Sequence, residues 1–217
     1  MHPARFAMKR RYDLTQLLRD YACQLNRFEK RFLEIIRRPT PLPQDKHEIS
    51  YLTIELLNRY RNFNRAFLFS CTTGARTTKK TIVGLGGISD EFDFIGAVFS
   101  TYSKKQVDTS TRTWNSRDEP AWESDVLRIA RNLRLQNEVA IETAFTVSSF
   151  YKPLKVFRNF CGHRSHELFK EVADAAVQYN LCEKSVERLL TTRSPSDGYL
   201  IIKWIDECRV YASLICE

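Results

Sequence analysis

Glycine and proline are scarce, at 7 each in 217 residues. So few turn-formers disfavour a hairpin-dense β architecture and favour long regular elements. The six cysteines, at 23, 71, 161, 182, 208 and 216, contain no C-x-x-C pair. That removes the usual zinc-ribbon and thioredoxin-like spacings and leaves buried, reduced thiols as the expectation. No window approaches the ~20 apolar residues that cross a bilayer, so no membrane partner is expected. The basic start, with Arg5, Lys9, Arg10 and Arg11, is not followed by the apolar run of a secretory signal. A cytoplasmic protein is the expectation. Internal repeats and low-complexity runs are missing, which argues against a solenoid. Paired carboxylates do not stand out, and neither does a Ser/His/Asp or Cys/His hydrolase pattern.

What the chain does have is a folding composition, with 43% hydrophobic and 28% charged residues. Lys and Arg total 34 against 26 acids, a net charge of +8 that favours contact with nucleic acid. Apolar residues recur at three- and four-residue steps over most of the length, the spacing of one helix face. Residues 12–37 read as a long amphipathic helix stopped by Pro39, Pro41 and Pro43. Residues 46–70 form a second helix, with an apolar stripe of Leu52, Leu56, Tyr60, Phe63 and Phe67. Residues 71–88, with four glycines, read as a loop or short hairpin. Helices follow over 90–101, 120–150, 164–180, 183–191 and 198–216, with Pro153 marking a boundary. The polar stretch 102–119 reads as a mobile loop. The fold expected is an all-α, up-and-down helical bundle. Residues 1–45 would be an N-terminal helix and Pro-rich linker, and residues 46–217 the main domain.

The richest local feature is Arg158-Asn159-Phe160-Cys161-Gly162-His163. Arginine is a permanent cation that can grip a phosphate with two donors. Histidine exchanges protons near neutrality. On a helix, Asn159 and His163 are one i,i+4 step apart and share a face, while Arg158 lies about 140° from His163 and must bend back to join them. An arginine, a histidine and an orienting amide are what metal-free cleavage of an RNA phosphodiester requires.

This R-N-x-x-x-H pattern closely resembles the signature of the HEPN superfamily, all-α domains that include many toxin-like ribonucleases. Arg158, Asn159 and His163 fill its three defining positions. The resemblance is sharp in the motif, and across residues 46–190 it extends only to the helical pattern. It implies a metal-independent endoribonuclease with no cofactor, acting as a homodimer that brings two motifs to one cleft. It also implies a role in defence or in a toxin–antitoxin pair, with a partner protein that silences the toxin. The alternative, from another class, is a HEPN-like scaffold that binds RNA or protein without cutting.

Candidate RNA contacts are Lys152, Lys155 and Arg164 around the motif, and Lys104, Lys105, Arg112 and Trp114 in the 102–119 stretch, where cations beside an aromatic suit a single strand. Glu55, Asn58, Asn62 and Arg65 form a polar stripe on the second helix, a candidate dimer or cleft face. His166 is a second proton carrier outside the family pattern. Cys161, His163 and His166 have zinc-like ligand types but no obvious fourth ligand, so no metal is assigned.

Overall fold

The structure is a computed structural model that describes residues 13–40, 42–85, 88–101, 107–108, 113–114, 121–122, 124–183, 185–196 and 198–217. It is mostly helical, as expected of an all-α chain. The helices are α1 (Leu14–Ile36), α2 (Asp45–Thr72), α3 (Glu91–Thr101), α4 (Val126–Asn132), α5 (Glu138–Val147), α6 (Tyr151–His163), α7 (His166–Val177), α8 (Val186–Thr191) and α9 (Leu200–Ile215). Two antiparallel pairs interrupt them: β1 (Ala75–Arg76) with β2 (Ile82–Val83), and β3 (Val107–Asp108) with β4 (Thr113–Trp114). No helix among the described residues is long and apolar enough to cross a membrane.

Backbone contacts divide the chain into two units, one of residues 1–19, 61–145 and 213–217 and one of residues 20–60 and 146–212. Helices α1, α2 and α9 contribute to both.

The first unit is built on the apolar end of α2. Phe67 and Phe69 are buried, and Phe69 meets Phe94 of α3 at 5.4 Å between ring centroids. Phe94 in turn stacks on Trp122 at 6.0 Å. Asn64 is fully buried and donates to the Trp122 carbonyl at 2.8 Å, which supplies the partner a buried amide needs. The β1–β2 hairpin turns at Lys80, whose φ of 68° lies in the left-handed region. Its base needs two glycines. Gly74 has φ 89°, and a Cβ on Gly84 would stand 3.0 Å from the Gly74 Cα.

The second unit has an aromatic cluster of its own. Tyr60 meets Phe150 edge-on at 4.9 Å and Tyr211 at 5.1 Å. Trp204 of α9 is fully buried and meets Phe157 of α6 edge-on at 5.2 Å. Its indole Nε1 donates to the Tyr179 hydroxyl at 3.5 Å. The apolar stripe expected of α2 is buried throughout, at Leu52, Leu56, Tyr60, Phe63 and Phe67.

Three local expectations need correction. Residues 120–150 are not one helix: α4 ends where Arg134 adopts φ 52°, and α5 starts afresh at Glu138. Pro153 does mark a boundary: α5 ends at Val147 and α6 starts at Tyr151, with Pro153 its third residue, where a missing N–H costs nothing because first-turn amides have no intrahelical acceptor. The helix after the motif begins at His166, two residues later than the expected start at 164, because Ser165 caps it by accepting from the Leu168 amide at 3.2 Å. The stretch 102–119 is not wholly loop, since β3 and β4 pair within it.

All six cysteines are free. Cys71, Cys208 and Cys216 are buried, as expected of core thiols, whereas Cys23 and Cys182 are exposed and Cys161 is half-buried. Burial pushes the Cys71 and Cys208 thiols up to about 12 from an ordinary 9.0, and raises Cys216 too. A raised thiol is stabilising below its unfolded pKa, and that contribution is lost as pH climbs from about 9 toward about 12. Native protein mixed with an aromatic disulfide reagent at pH 8 is therefore expected to release two equivalents quickly, from Cys23 and Cys182, and the three buried thiols only on unfolding. Rapid reaction of all six would show that the described burial is wrong.

Candidate functional site

Helix α6 carries the motif, and its packing decides which side chains face outward. Pro153, Leu154 and Phe157 are buried, and Phe160 tilts against Phe169 of α7 at 6.1 Å. At about 100° per residue, Lys152, Lys155, Asn159 and His163 fall within an arc of roughly 80° on the opposite side. Lys152 and His163 are exposed, and Lys155 and Asn159 are half-buried. The helix is regular through Gly162, which meets nothing at its missing Cβ. The glycine therefore causes no distortion beside the histidine.

Arg158 lies on the flank of that face and is half-buried. Its guanidinium turns toward the face: Nη1 donates to Asn159 Oδ1 at 3.3 Å. Its Nε is buried and has no hydrogen-bond partner among the described residues. The side chain is thus held by its stem and its neighbour, with a cationic head beside the amide.

His163 is the last residue of α6. Arg164 follows in the left-handed conformation, φ 47° and ψ 51°, with its N–H on the Phe160 carbonyl at 2.8 Å. Ser165 then caps α7, so the chain reverses within two residues, and His166, the first residue of α7, is exposed. Arg164 reaches Glu187 of α8 at 3.8 Å. That pair is half in solvent and worth no more than about 1 kcal/mol. Burial raises the Cys161 thiol, against a smaller opposing effect of its hydrogen bond with Ser50 of α2. Cys161 thus faces α2 rather than the open side of α6. No group of three or more His, Cys, Asp or Glu among the described residues is arranged to hold a metal ion.

No family model, no curated protein and no solved structure matches this chain. The assignment of chemistry therefore rests on the residues themselves.

Of the predicted contacts, Lys152 and Lys155 join the motif face, while Arg164 stands at the turn with Glu187. Lys104, Lys105 and Arg112 lie outside the described residues, and Trp114 is placed only as backbone in β4. Along the polar stripe, Glu55 accepts from Asn58 at 3.1 Å and from Arg59 at 3.4 Å. Asn62 is exposed. Arg65 pairs with Glu91 at 3.1 Å and lies over the Trp122 ring at 5.7 Å. Glu55 and Asn58 belong to the unit that carries the motif, and Asn62 and Arg65 to the other. Ser50 and Glu187 escape a sequence reading, because each meets the motif region only through tertiary packing. Two cavities, of about 650 and 420 Å³, are lined by residues other than Arg158, Asn159 and His163.

Proposed function

We propose that the chain is a metal-independent endoribonuclease of the HEPN type, with a toxin-like role in the cytoplasm in defence or in a toxin–antitoxin pair. The observation that carries the reading is the turn of Arg158 Nη1 onto Asn159 Oδ1, on the flank of the same α6 face that presents His163. This gathers a fixed cation, an orienting amide and a proton carrier at one helix end, with Lys152 and Lys155 on the approach.

In the proposed reaction the ribose 2′-oxygen attacks the adjacent phosphorus in line while its proton passes to a base. The P–O5′ bond breaks, and the leaving oxygen takes a proton from an acid. The products are a 2′,3′-cyclic phosphate and a 5′-hydroxyl. His163 moves the protons, Arg158 offsets the charge on the nonbridging oxygens, and Asn159 orients the arginine. One histidine cannot serve both ends of an in-line transfer at once. A two-fold homodimer would supply the second copy, and the exposure of His163 at the end of α6 leaves room for it. The polar stripe from Glu55 to Arg65 and the cations of the 102–119 stretch remain candidates for the dimer face and for RNA contact.

The test is incubation of purified protein with total RNA in excess EDTA, with mass analysis of product ends and of the protein in solution. Cleavage in chelator, 2′,3′-cyclic phosphate ends and a dimeric mass are expected. Loss of cutting in EDTA, or 3′-hydroxyl ends, would overturn the mechanism. Bound but intact RNA would favour the scaffold alternative.

A further inference from the structure

We propose that Tyr51 of α2 is a stacking surface for an unpaired RNA base, in the outer groove between α2 and α6 that Arg158 also lines. The proposal rests on the ribonuclease reading and deepens it, since it makes the substrate a single strand.

The placement follows from two contacts between α2 and α6, both within the second unit. At one end Ser50 hydrogen-bonds the Cys161 thiol. At the other, Tyr60 meets Phe150, the residue just before α6, edge-on at 4.9 Å. Later residues of α2 thus meet earlier residues of α6, so the two helices run antiparallel. The spans agree, because Ser50 to Tyr60 and Phe150 to Cys161 both rise about 16 Å along a helix axis. Ser50 and Cys161 are therefore level. Arg158, three residues back on α6, falls only about 3 Å further along the axis than Tyr51.

Two helices in contact leave one groove toward the core and one toward solvent. Leu154 and Phe157 mark the core side of α6, and Ile49, Leu52, Leu56 and Tyr60 that of α2. On α6, Phe160 leans on α7 at one edge of the core side, and Cys161 meets α2 near the other. Outward from Cys161, by about 60°, comes Arg158. On α2 the edge toward α6 is Ser50, and outward from it, by about 100°, comes Tyr51. Both side chains thus flank the solvent groove.

Tyr51 is 59% exposed, and among the described residues its ring meets no other ring and its hydroxyl no hydrogen-bond partner. Gly162, also on this side of α6, has nothing within 4 Å of its missing Cβ, which leaves room above the groove. An open aromatic face beside a fixed cation suits one nucleotide, with the phosphate on Arg158 and the base on the ring. Lys152 and Lys155, further round α6, add charge for the flanking phosphates. Bases in a duplex are already stacked and paired, so only an unpaired base reaches such a platform.

The probe is a short fluorescent 2′-O-methyl strand, which lacks the attacking hydroxyl and stays whole during an anisotropy titration. Tyr51→Ala should weaken its binding by about tenfold, as loss of one base–aromatic stack does. Tyr51→Trp should hold or raise affinity. Tyr51→Leu, which keeps apolar bulk without a ring, should behave like Tyr51→Ala. All three change an exposed side chain and should unfold close to the parent. A strand of the same length built from abasic nucleotides should bind the parent and Tyr51→Ala alike. The proposal is overturned if the parent does not bind the strand, if Tyr51→Ala binds it as the parent does, or if the abasic strand shows the same loss. A fall in solution mass on Tyr51→Ala would overturn it too, by assigning the residue to an interface between copies. Tyr51-dependent binding by a protein that cuts no unmodified RNA would sink the ribonuclease reading and leave the stacking surface standing.

Discussion

His163→Ala is expected to lower the rate of RNA cleavage in EDTA by about 10²-fold or more, because a general acid–base usually contributes at least that much. The side chain is exposed at the end of α6 and packs into no core, so unfolding of the variant should match the parent to within about 0.5 kcal/mol. Arg158→Ala should cost a similar factor in rate through loss of charge stabilisation at the phosphorane. Arg158→Lys should recover only part of it, since an ammonium keeps the charge but not the planar fork that bonds Asn159 and would still have donors for a phosphate. His166→Ala should cost less than either, because the first position of α7 lies beyond the turn at Arg164. Equal loss at His166 would move the proton role to α7. Unchanged cleavage in both His163→Ala and Arg158→Ala would remove the motif from the mechanism.

Trp204→Ala is expected to destabilise the protein by about 3–5 kcal/mol, a large share of the ~5–15 kcal/mol that holds a typical domain together. Trp204 is fully buried, abuts Phe157 at 5.2 Å and donates to Tyr179. Truncation leaves a cavity directly behind the α6 residue that precedes Arg158. It also strips the Tyr179 hydroxyl of its indole donor. Denaturant unfolding followed by circular dichroism measures the loss. Trp204→Phe keeps most of the volume and should cost clearly less. If Trp204→Ala unfolds like the parent, the packing that positions α6 is not as described.

The helices were legible because their cores are amphipathic and their spacing is written locally. Leu52, Leu56, Tyr60, Phe63 and Phe67 recur on one face of α2, and all are buried. The motif was legible for a related reason. Arg158, Asn159 and His163 are neighbours in sequence, so a single helix fixes their spacing. Pro153 marked the break before α6, since a proline is tolerated in a first turn and not in a helix interior. What misled was finer punctuation. The break between α4 and α5 needs Arg134 at positive φ, which no composition signal marks. The β3–β4 pair is two residues per strand, too short for an alternating pattern to declare itself.

The sequence by itself determined the all-α class, most helix spans and the polar face of α6, because hydrophobic period and turn residues act over a few positions. Only the tertiary structure decided that Arg158 leans onto Asn159 and that Cys161 faces Ser50. It alone set Trp204 behind the motif and brought Asn137 to Cys71, with Nδ2 donating to Sγ. The physical reason is distance along the chain. Apart from the Arg158 contact, which turns on a rotamer, these relations join residues 47 to 111 positions apart. Packing of distant side chains sets such pairs, and local propensity carries no trace of them.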